Sequence, residues 1–229
     1  MTSLKDDQIV SRYLPYDRLL GATGLLESRK LYLPKLGDQH DRLEGLPTEA
    51  TKNNIFRGEE AQGNPIWIPY ILLSVQGIMS RQITYVSCWT TSAEPEIRRA
   101  EEYGNSNVII TTTVGKIREI LPSTAKIRRV LYVDESFDQH RIDMDAINFS
   151  KRSSFSWENE VRIIDYRAQT GGLLKKTLDS APDHLEYVID PGRFISKIII
   201  LPNIERSKKE KVLCFADRYE INVELHEFE

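Results

Sequence analysis

The residues best suited to acid–base chemistry lie within Phe149–Tyr166, which reads FSKRSSFSWENEVRIIDY. Its second half is rich in β-branched residues, so Glu158–Ile164 is predicted to be a strand inside a sheet. Side chains two residues apart share one face of a strand, about 7 Å apart, and two carboxylates at that spacing raise each other's pKa. Glu158 and Glu160 therefore form either an acid–base site or, with Arg162 as counter-ion, a balanced ionic network.

Glu160 is the stronger catalytic candidate of the two carboxylates. It precedes the apolar Val161 and lies further into the strand, so its carboxylate is expected to be the more desolvated one. A desolvated carboxylate is functional when the charge of a ligand compensates it. We therefore predict that Glu160 contributes more to activity than to stability, and more to activity than Glu158.

Length and composition are those of a globular protein, with 229 residues, 40% hydrophobic and 28% charged, and a net charge of −3. A protein that binds nucleic acid through bulk electrostatics would be basic, so only a local patch such as Arg98-Arg99 with Lys151-Arg152 fits that function. The first ten residues lack the apolar core of a signal peptide. The longest apolar stretch, Pro65–Met79, is too short to span a bilayer. We therefore expect a cytoplasmic protein with no membrane partner.

Predicted helices and strands follow one another irregularly rather than as repeated βαβ units. This favours one α+β domain over residues 1–229, with a mixed, mostly antiparallel sheet flanked by helices. Cys88 and Cys214 lie in apolar surroundings typical of buried, reduced thiols. The predicted strands are Leu31–Leu33, Ile83–Trp89, Asn107–Thr113, Ile127–Asp134, Leu185–Ile189, Ser196–Leu201 and Ile221–Leu225, and the main helices are Pro65–Arg81, Ala93–Tyr103, Val114–Leu121 and Glu205–Arg218.

Several short motifs occur in a fixed order along the chain: Arg12-Tyr13, Leu31-Tyr32, Asp41–Gly45, Cys88-Trp89, Tyr103, Val108–Thr113, Phe149–Arg162 and Ile199–Pro202. Their order and spacing resemble a bacterial and phage family known as domain of unknown function 2971, over nearly the whole chain. Two positions depart from the pattern of that family, because Ala100 replaces a tryptophan and Arg42 replaces a proline. If the tryptophan shapes a ligand pocket in the family, the pocket of this protein differs.

A weaker resemblance is to the ADP-ribosyltransferases. It rests on the order of an arginine, Arg12, a threonine-rich strand and the pair Glu158-x-Glu160. The resemblance implies an ADP-ribosyltransferase-like fold and NAD as cofactor. It also implies that Arg12 holds an NAD phosphate through bidentate hydrogen bonds.

The same resemblance implies roles for further residues. Thr112 and Thr113 would occupy the place of the Ser-Thr-Ser motif of the superfamily, and Tyr13 or Tyr103 would stack on the nicotinamide. Glu160 would be the catalytic glutamate, which stabilises the oxocarbenium-like transition state. Glu158 would position or deprotonate the acceptor.

Three functional hypotheses follow. The first is an ADP-ribosyltransferase or NAD glycohydrolase that acts as a toxin or phage-defence effector on a protein or nucleic-acid acceptor. The second, favoured by Ala100, is a non-catalytic module that binds a nucleotide or a protein. The third is a nuclease-like enzyme with a metal held by Asp41, Glu44, Glu158 and Glu160, but the spacing of histidines and acids typical of metal ligands is missing. No metal is therefore expected.

The first hypothesis requires residues far apart in sequence to meet. We predict that Arg12, Tyr13, Asp41 or Glu44, a residue of Thr111–Thr113, and Glu160 converge on one cleft. The structural alternative is that Arg12 pairs with Glu44 or Glu160 and that the acidic strand is an ordinary face with cross-strand ion pairs.

Overall fold

The structure, a computed structural model, describes residues 4–227 apart from residues 40, 42–43, 54–76, 93–94, 104–105, 135–143 and 167–180. Most of the helix expected at Pro65–Arg81 lies outside the described residues, although residues 77–83 are helical. Eleven strands are present in this part of the chain: β1 Ile9–Leu14, β2 Lys30–Pro34, β3 Thr84–Thr90, β4 Val108–Thr113, β5 Lys126–Arg129, β6 Leu131–Val133, β7 Ser150–Arg152, β8 Glu160–Tyr166, β9 His184–Val188, β10 Lys197–Ile200 and β11 Asn222–Leu225.

Seven of these strands form one sheet in the order β11-β10-β4-β1-β3-β8-β5. Every neighbouring pair is antiparallel except β10 and β11, which are parallel. Two smaller sheets pair β2 with β9 and β6 with β7. The α+β prediction, with a mixed and mostly antiparallel sheet, is therefore confirmed.

Helices flank the sheet, and most of the described ones are short. The longest, α7 at Arg206–Arg218, buries Val212, Phe215 and Ala216. None of the helices in the described part of the chain has the length and apolar character needed to cross a membrane. The helices are α1 Tyr16–Leu20, α2 Leu25–Ser28, α3 Ile97–Glu102, α4 Val114–Ile120, α5 Met144–Asn148, α6 Pro191–Phe194 and α7 Arg206–Arg218, with 3₁₀ helices at Leu36–Asp38 and Ser153–Glu158 and further helical residues at 49–53.

Strand β8 lies inside the sheet, as predicted. It pairs with β3 along its whole length, from Thr84–Tyr166 to Thr90–Glu160. On its other side it pairs with β5. Its apolar side chains are buried on both faces, with Val161 and Ile163 in the main core and Ile164 beside Phe149. Such two-sided burial explains the near-continuous apolar run in the sequence.

The start of this strand differs from the prediction. Glu158 belongs to the 3₁₀ helix, and Asn159 has a positive φ of 44°, so the strand begins at Glu160. A left-handed residue turns the backbone sharply, and asparagine tolerates that conformation well. Glu158 and Glu160 therefore do not share a strand face, and their proximity has another cause.

The two cysteines are free, in agreement with the prediction of reduced thiols. The prediction of burial is wrong for Cys214, which is exposed, while Cys88 is half-buried. Cys214 lies on the outer side of α7, because the inner side is taken by Val212, Phe215 and Ala216. In an amphipathic helix the residue beside an inward-facing one can point to solvent, so apolar neighbours in sequence did not imply burial.

Candidate functional site

The seven-stranded sheet is weakly joined at its centre. Strand β1 pairs with β4 over six positions, and β3 pairs with β8 over seven. Between β1 and β3, by contrast, the register contains the single pair Ser11–Thr90. The sheet therefore consists of two well-paired halves, β11-β10-β4-β1 and β3-β8-β5, that meet at one residue pair.

A cleft of about 710 Å³ lies at this junction, lined by residues of both β1 and β3. This volume is within the range of small-molecule sites in proteins. Its walls carry aromatic rings from Tyr13, Trp89, Tyr103, Phe155 and Trp157, and charged groups from Arg12, Asp41, Glu44, Glu102, Lys151, Arg152 and Glu158. Flat rings and charges of both signs meet in one concave surface.

Three of the aromatic side chains form a connected wall. The rings of Tyr103 and Trp157 are stacked, with centroids 6.2 Å apart and an angle of 28° between planes. The ring of Tyr13 lies 6.0 Å from that of Tyr103. Ala100 is buried in the same cluster as Tyr13 and Tyr103. The departure from the tryptophan of the resembling family therefore lies directly beside the cleft.

Lys151 joins the carboxylates of the site. Its Nζ lies 2.7 Å from Oε2 of Glu158, 3.3 Å from Oε2 of Glu160 and 3.8 Å from Oε1 of Glu44. Each of these three glutamates is buried. A buried carboxylate needs a cation or hydrogen bonds, and Lys151 supplies its charge to all three and hydrogen bonds to Glu158 and Glu160. Glu158 and Glu160 are thus brought together by a shared lysine rather than by a shared strand face.

Arg162 balances the inner side of this cluster. It is fully buried, and its Nε donates to Oε1 of Glu160 over 2.8 Å. Its other nitrogens donate to Glu44 and, over 2.6 Å, to the backbone oxygen of Asn148. The expectation that Arg162 is the counter-ion of Glu160 is confirmed. We call Glu44, Lys151, Glu158, Glu160 and Arg162 the ionic cluster; it holds one more carboxylate than cations.

The pKa values of the two central carboxyls shift in opposite directions. Burial alone would raise the pKa of Glu160, but Arg162 and Lys151 outweigh it and lower that pKa to about 2. For Glu158, burial prevails over the attraction of Lys151, so its pKa is raised above the ordinary value. Glu160 is consequently held in its anionic form, whereas Glu158 is the carboxyl of the two that accepts a proton more readily.

Arg12 lines the cleft as a cation that has no carboxylate partner among the described residues. Its guanidinium carbon lies 5.9 Å from the centroid of the Trp89 ring. It forms no hydrogen bond or ion pair with the described residues, so neither of the expected structural partners, Glu44 and Glu160, is paired with it. Burial lowers the pKa of Arg12. A desolvated, unpaired guanidinium is a strong binding group for an anion.

The backbone of Glu158 is fixed by Thr90 and Arg99. Arg99 was expected in a basic surface patch, but it is fully buried and cannot contribute to one. Thr90 donates its hydroxyl to the carbonyl of Glu158 over 2.8 Å. Arg99, which is fully buried, donates to the Thr90 hydroxyl over 3.0 Å and to the carbonyl of Trp157. These bonds hold the end of the 3₁₀ helix against β3. No spacing in the sequence indicates this arrangement, since Arg99 and Trp157 are 58 positions apart.

Most of the predicted site residues do converge. Arg12, Tyr13, Asp41, Glu44, Tyr103 and Glu158 all line the cleft. Glu160 lies directly behind it, in contact with Lys151 and Arg162. Asp41 is paired with Arg152, whose Nη2 lies 2.9 Å from Oδ1 of Asp41.

The threonines are the exception, and their predicted place in the cleft is wrong. The hydroxyl of Thr112 donates to the backbone oxygen of Phe194 over 2.5 Å, and Thr113 caps α4 through the amide of Lys116. The reason is the strand order, because β1 separates β4 from the cleft. Thr111 is paired with Ser11 on the far side of β1 and does not line the cleft either.

The arrangement leaves little room for the metal of the nuclease hypothesis. The ammonium of Lys151 lies among Glu44, Glu158 and Glu160, which are three of the four ligands that hypothesis requires. Among the residues that the structure describes, no group of three or more His, Cys, Asp or Glu is placed to hold a metal ion. A fixed cation here repels a second one, so the geometry favours chemistry that uses the carboxylates without a metal.

The comparisons with known proteins add nothing to this geometry. No family model, no curated protein and no solved structure matches the chain. The two family resemblances therefore remain predictions from the order of motifs, and a function has to be argued from the cleft.

Proposed function

We propose that the protein binds NAD in the cleft and cleaves its nicotinamide–ribose bond, as an ADP-ribosyltransferase or an NAD glycohydrolase. One observation carries the proposal: a single cleft contains an unpaired guanidinium, a wall of aromatic rings and a buried carboxyl with a raised pKa. NAD presents the matching groups, which are a diphosphate, two flat heterocycles and a ribose that becomes positively charged as the bond breaks.

Arg12 would bind the diphosphate. A guanidinium forms two parallel hydrogen bonds to phosphate oxygens, and such charge-assisted bonds are strong where water is excluded. The ring of Tyr103, supported by the stacked ring of Trp157, offers a flat apolar surface for a heterocycle. Offset stacking on such a surface is favourable by about 0.5–1.5 kcal/mol beyond burial. Together these contacts orient the ribose toward the ionic cluster.

Glu158 would act at the ribose. When the bond between the anomeric carbon and the pyridinium nitrogen breaks, both electrons leave with the neutral nicotinamide. The oxocarbenium ion left behind is stabilised by a nearby carboxylate. A hydroxyl oxygen of water or of an acceptor then bonds to the anomeric carbon, and its proton passes to Glu158, whose raised pKa suits it to accept one.

Glu160 has a different part in this proposal from the one that the resemblance implies. Its pKa of about 2 and its bonds to the buried Arg162 make it a poor proton acceptor. It instead keeps Lys151 and Arg162 in place, and so sets the position of the Glu158 carboxylate. Consumption of NAD or modification of an acceptor in the cytoplasm would make the protein a toxin or phage-defence effector, which is part of the same proposal.

The test is incubation of the purified protein with NAD labelled on its adenylate half, with and without cell extract as a source of acceptors. Release of free nicotinamide, with label appearing as ADP-ribose or on a macromolecule, is expected. For a variant that removes Arg12, Arg218→Gln serves as the control. Arg218 is an exposed arginine on α7 that, like Arg12, lies over an aromatic ring, in this case that of Phe215. If the protein neither binds NAD in a calorimeter nor releases nicotinamide, the proposal is wrong.

A non-catalytic nucleotide-binding module is the second candidate, and a specific observation favours it. Lys151 already neutralises Glu158 over 2.7 Å, so the carboxylate that faces the cleft is not free. A closed ion pair can be a structural feature rather than a reactive one. Binding of NAD without release of nicotinamide, even in the presence of extract, would support this module over the enzyme.

A further inference from the structure

The segment that carries Glu158 also presents a surface at the rim of the cleft. Trp157 is half-buried, and the guanidinium carbon of Arg98 lies 4.2 Å from the centroid of its ring. Arg98 is exposed and forms no ion pair with the described residues. It stacks on the ring in the geometry typical of a cation–π contact, which keeps its charge available to a further partner.

A second exposed cation lies on the other side of the same segment. Arg129, on the edge strand β5, donates to the hydroxyl of Thr91 over 3.0 Å. The amide of Thr91 in turn donates to the backbone oxygen of Asn159 over 3.1 Å. Arg129 has no carboxylate partner among the described residues. Two uncompensated arginines thus flank the turn from Trp157 to Asn159.

The 3₁₀ helix before this turn adds another ring. Phe155 is half-exposed and lies 4.8 Å from Nζ of Lys151 and 5.2 Å from the guanidinium carbon of Arg152. The serines at 153, 154 and 156 are exposed between the two rings. Arginines, half-exposed rings and small hydroxyl side chains are therefore concentrated around residues 153–159 in a chain whose net charge is −3. Composition alone does not account for this concentration.

We propose that these residues, Arg98, Arg129, Phe155 and Trp157, form a docking surface for single-stranded nucleic acid. Unpaired bases stack on aromatic rings and on arginine planes, while arginines contact the phosphates. A duplex keeps its bases stacked inside and cannot use the rings in this way. Acidic residues lie close to Arg98 in sequence, namely Glu96 just before α3 and Glu101 and Glu102 at its end, and they restrict the number of phosphates that can approach.

The surface leads directly to the cleft, because Phe155 and Trp157 line both. A strand docked here would have its bases beside Glu158. If the proposed function holds, the nucleic acid is the acceptor of the transferred group. Docking itself does not depend on NAD, so it can be tested separately.

The test is fluorescence anisotropy without NAD, with labelled single-stranded RNA and DNA of about 12 nucleotides, a length within the range of single-strand sites. A duplex of the same sequence is measured in parallel. We expect the single strands to bind at least about tenfold more tightly than the duplex, with a shallow salt dependence, since a slope of about −0.7 per phosphate contact applies to single strands.

Two charge-matched double variants decide the result. Arg98→Gln with Arg129→Gln should weaken single-strand binding about tenfold or more. Lys211→Gln with Arg218→Gln removes the same charge from exposed positions of α7 and should leave binding unchanged. Thermal melts check that both variants fold. The proposal is overturned if both double variants lose the same affinity, if the protein prefers the duplex, or if the wild-type protein binds no oligonucleotide. Transfer of NAD label to protein without any binding of oligonucleotide also overturns it.

Discussion

The ammonium nitrogen of Lys151 lies 2.7 Å from a carboxylate oxygen of Glu158, so a carboxyl that lines the cleft is held by a lysine from the preceding strand. The same nitrogen is 3.3 Å from Glu160 and 3.8 Å from Glu44, which lie further inside. One cation therefore couples the accessible carboxyl to the buried ones. The protonation and position of Glu158 depend on the ionic cluster as a whole. Substitution of single members of the cluster distinguishes the role of each.

Glu158→Gln keeps the shape of the side chain and removes its charge. If Glu158 stabilises the transition state, nicotinamide release should fall by about 10²–10³-fold, as for the loss of one preorganised electrostatic group. The melting temperature should change little, because Lys151 keeps Glu160 and Glu44 as partners. Turnover and a thermal melt are measured on the same preparation. Undiminished turnover would remove Glu158 from the mechanism.

Glu160→Gln should act on stability instead. Arg162 is fully buried, and without the charge of Glu160 it keeps Glu44 as its remaining carboxylate partner. Breaking a buried pair by removal of one partner typically costs about 3–5 kcal/mol. For a chain of this size that corresponds to a loss of roughly 10 °C in melting temperature.

Glu186→Gln is a suitable control for Glu160→Gln, because Glu186 pairs with Lys30 at the surface and should matter little. A stable Glu160→Gln protein that has lost turnover would restore the catalytic assignment to Glu160.

The ionic cluster also predicts acid sensitivity. The folded-state pKa of Glu160 is about 2, below its ordinary value of 4.5, so the folded form binds a proton less readily than the unfolded chain. Glu160 therefore stabilises the fold fully above about pH 4.5, and this contribution is lost as the pH falls toward 2. Urea midpoints between pH 7 and pH 3 should show the advantage of wild type over Glu160→Gln shrinking. A constant difference would contradict the assignment.

Arg12→Met should affect NAD binding without lowering the stability of the fold. An unpaired, desolvated guanidinium is costly to the fold, so its replacement should leave the free energy of unfolding unchanged or raise it. The affinity for NAD, measured by calorimetry, should fall about 10–100-fold, because hydrogen bonds to charged groups contribute about 1.5–3 kcal/mol. Arg12→Lys retains the charge without the planar fork and should recover part of the affinity. A destabilised Arg12→Met protein with normal affinity would show a structural role.

Metal ions should have no effect on activity. The ammonium of Lys151 already lies among three carboxylates, and it repels a divalent cation from the same place. Nicotinamide release should be the same with EDTA and with added Mg²⁺. Loss of activity in EDTA that Mg²⁺ restores would revive the nuclease-like hypothesis and would displace the NAD proposal.

The sequence predicted what local patterns determine. The β-branched residues of β8 identified the strand and its place inside the sheet, and the apolar run of β3 identified that segment as a strand. Of the residues predicted to converge on one cleft, Arg12, Tyr13, Asp41 and Glu44 line it, whereas Glu160 lies behind it and the threonines lie elsewhere. These features depend on short-range periodicity, which a single sequence contains.

Other features depend on backbone geometry and strand order, which a single sequence does not show. Asn159 takes a left-handed conformation that removes Glu158 from the strand, and the 3₁₀ helix before it brings Lys151 between the glutamates. Thr112 was assigned to the cleft because its strand is threonine-rich, yet that strand lies on the far side of β1. Pairing between distant strands decided its place.

Within the described residues, only the pair Ser11–Thr90 joins the two halves of the sheet, so a ligand in the cleft would also affect the stability of the fold. Backbone hydrogen bonds brace each half of the sheet internally, but almost none cross the junction between β1 and β3. A dinucleotide that contacts Arg12 on one half and Trp89 on the other would link the two halves non-covalently. Its binding free energy would be added to the cohesion of the halves, and melting temperature would rise with its concentration.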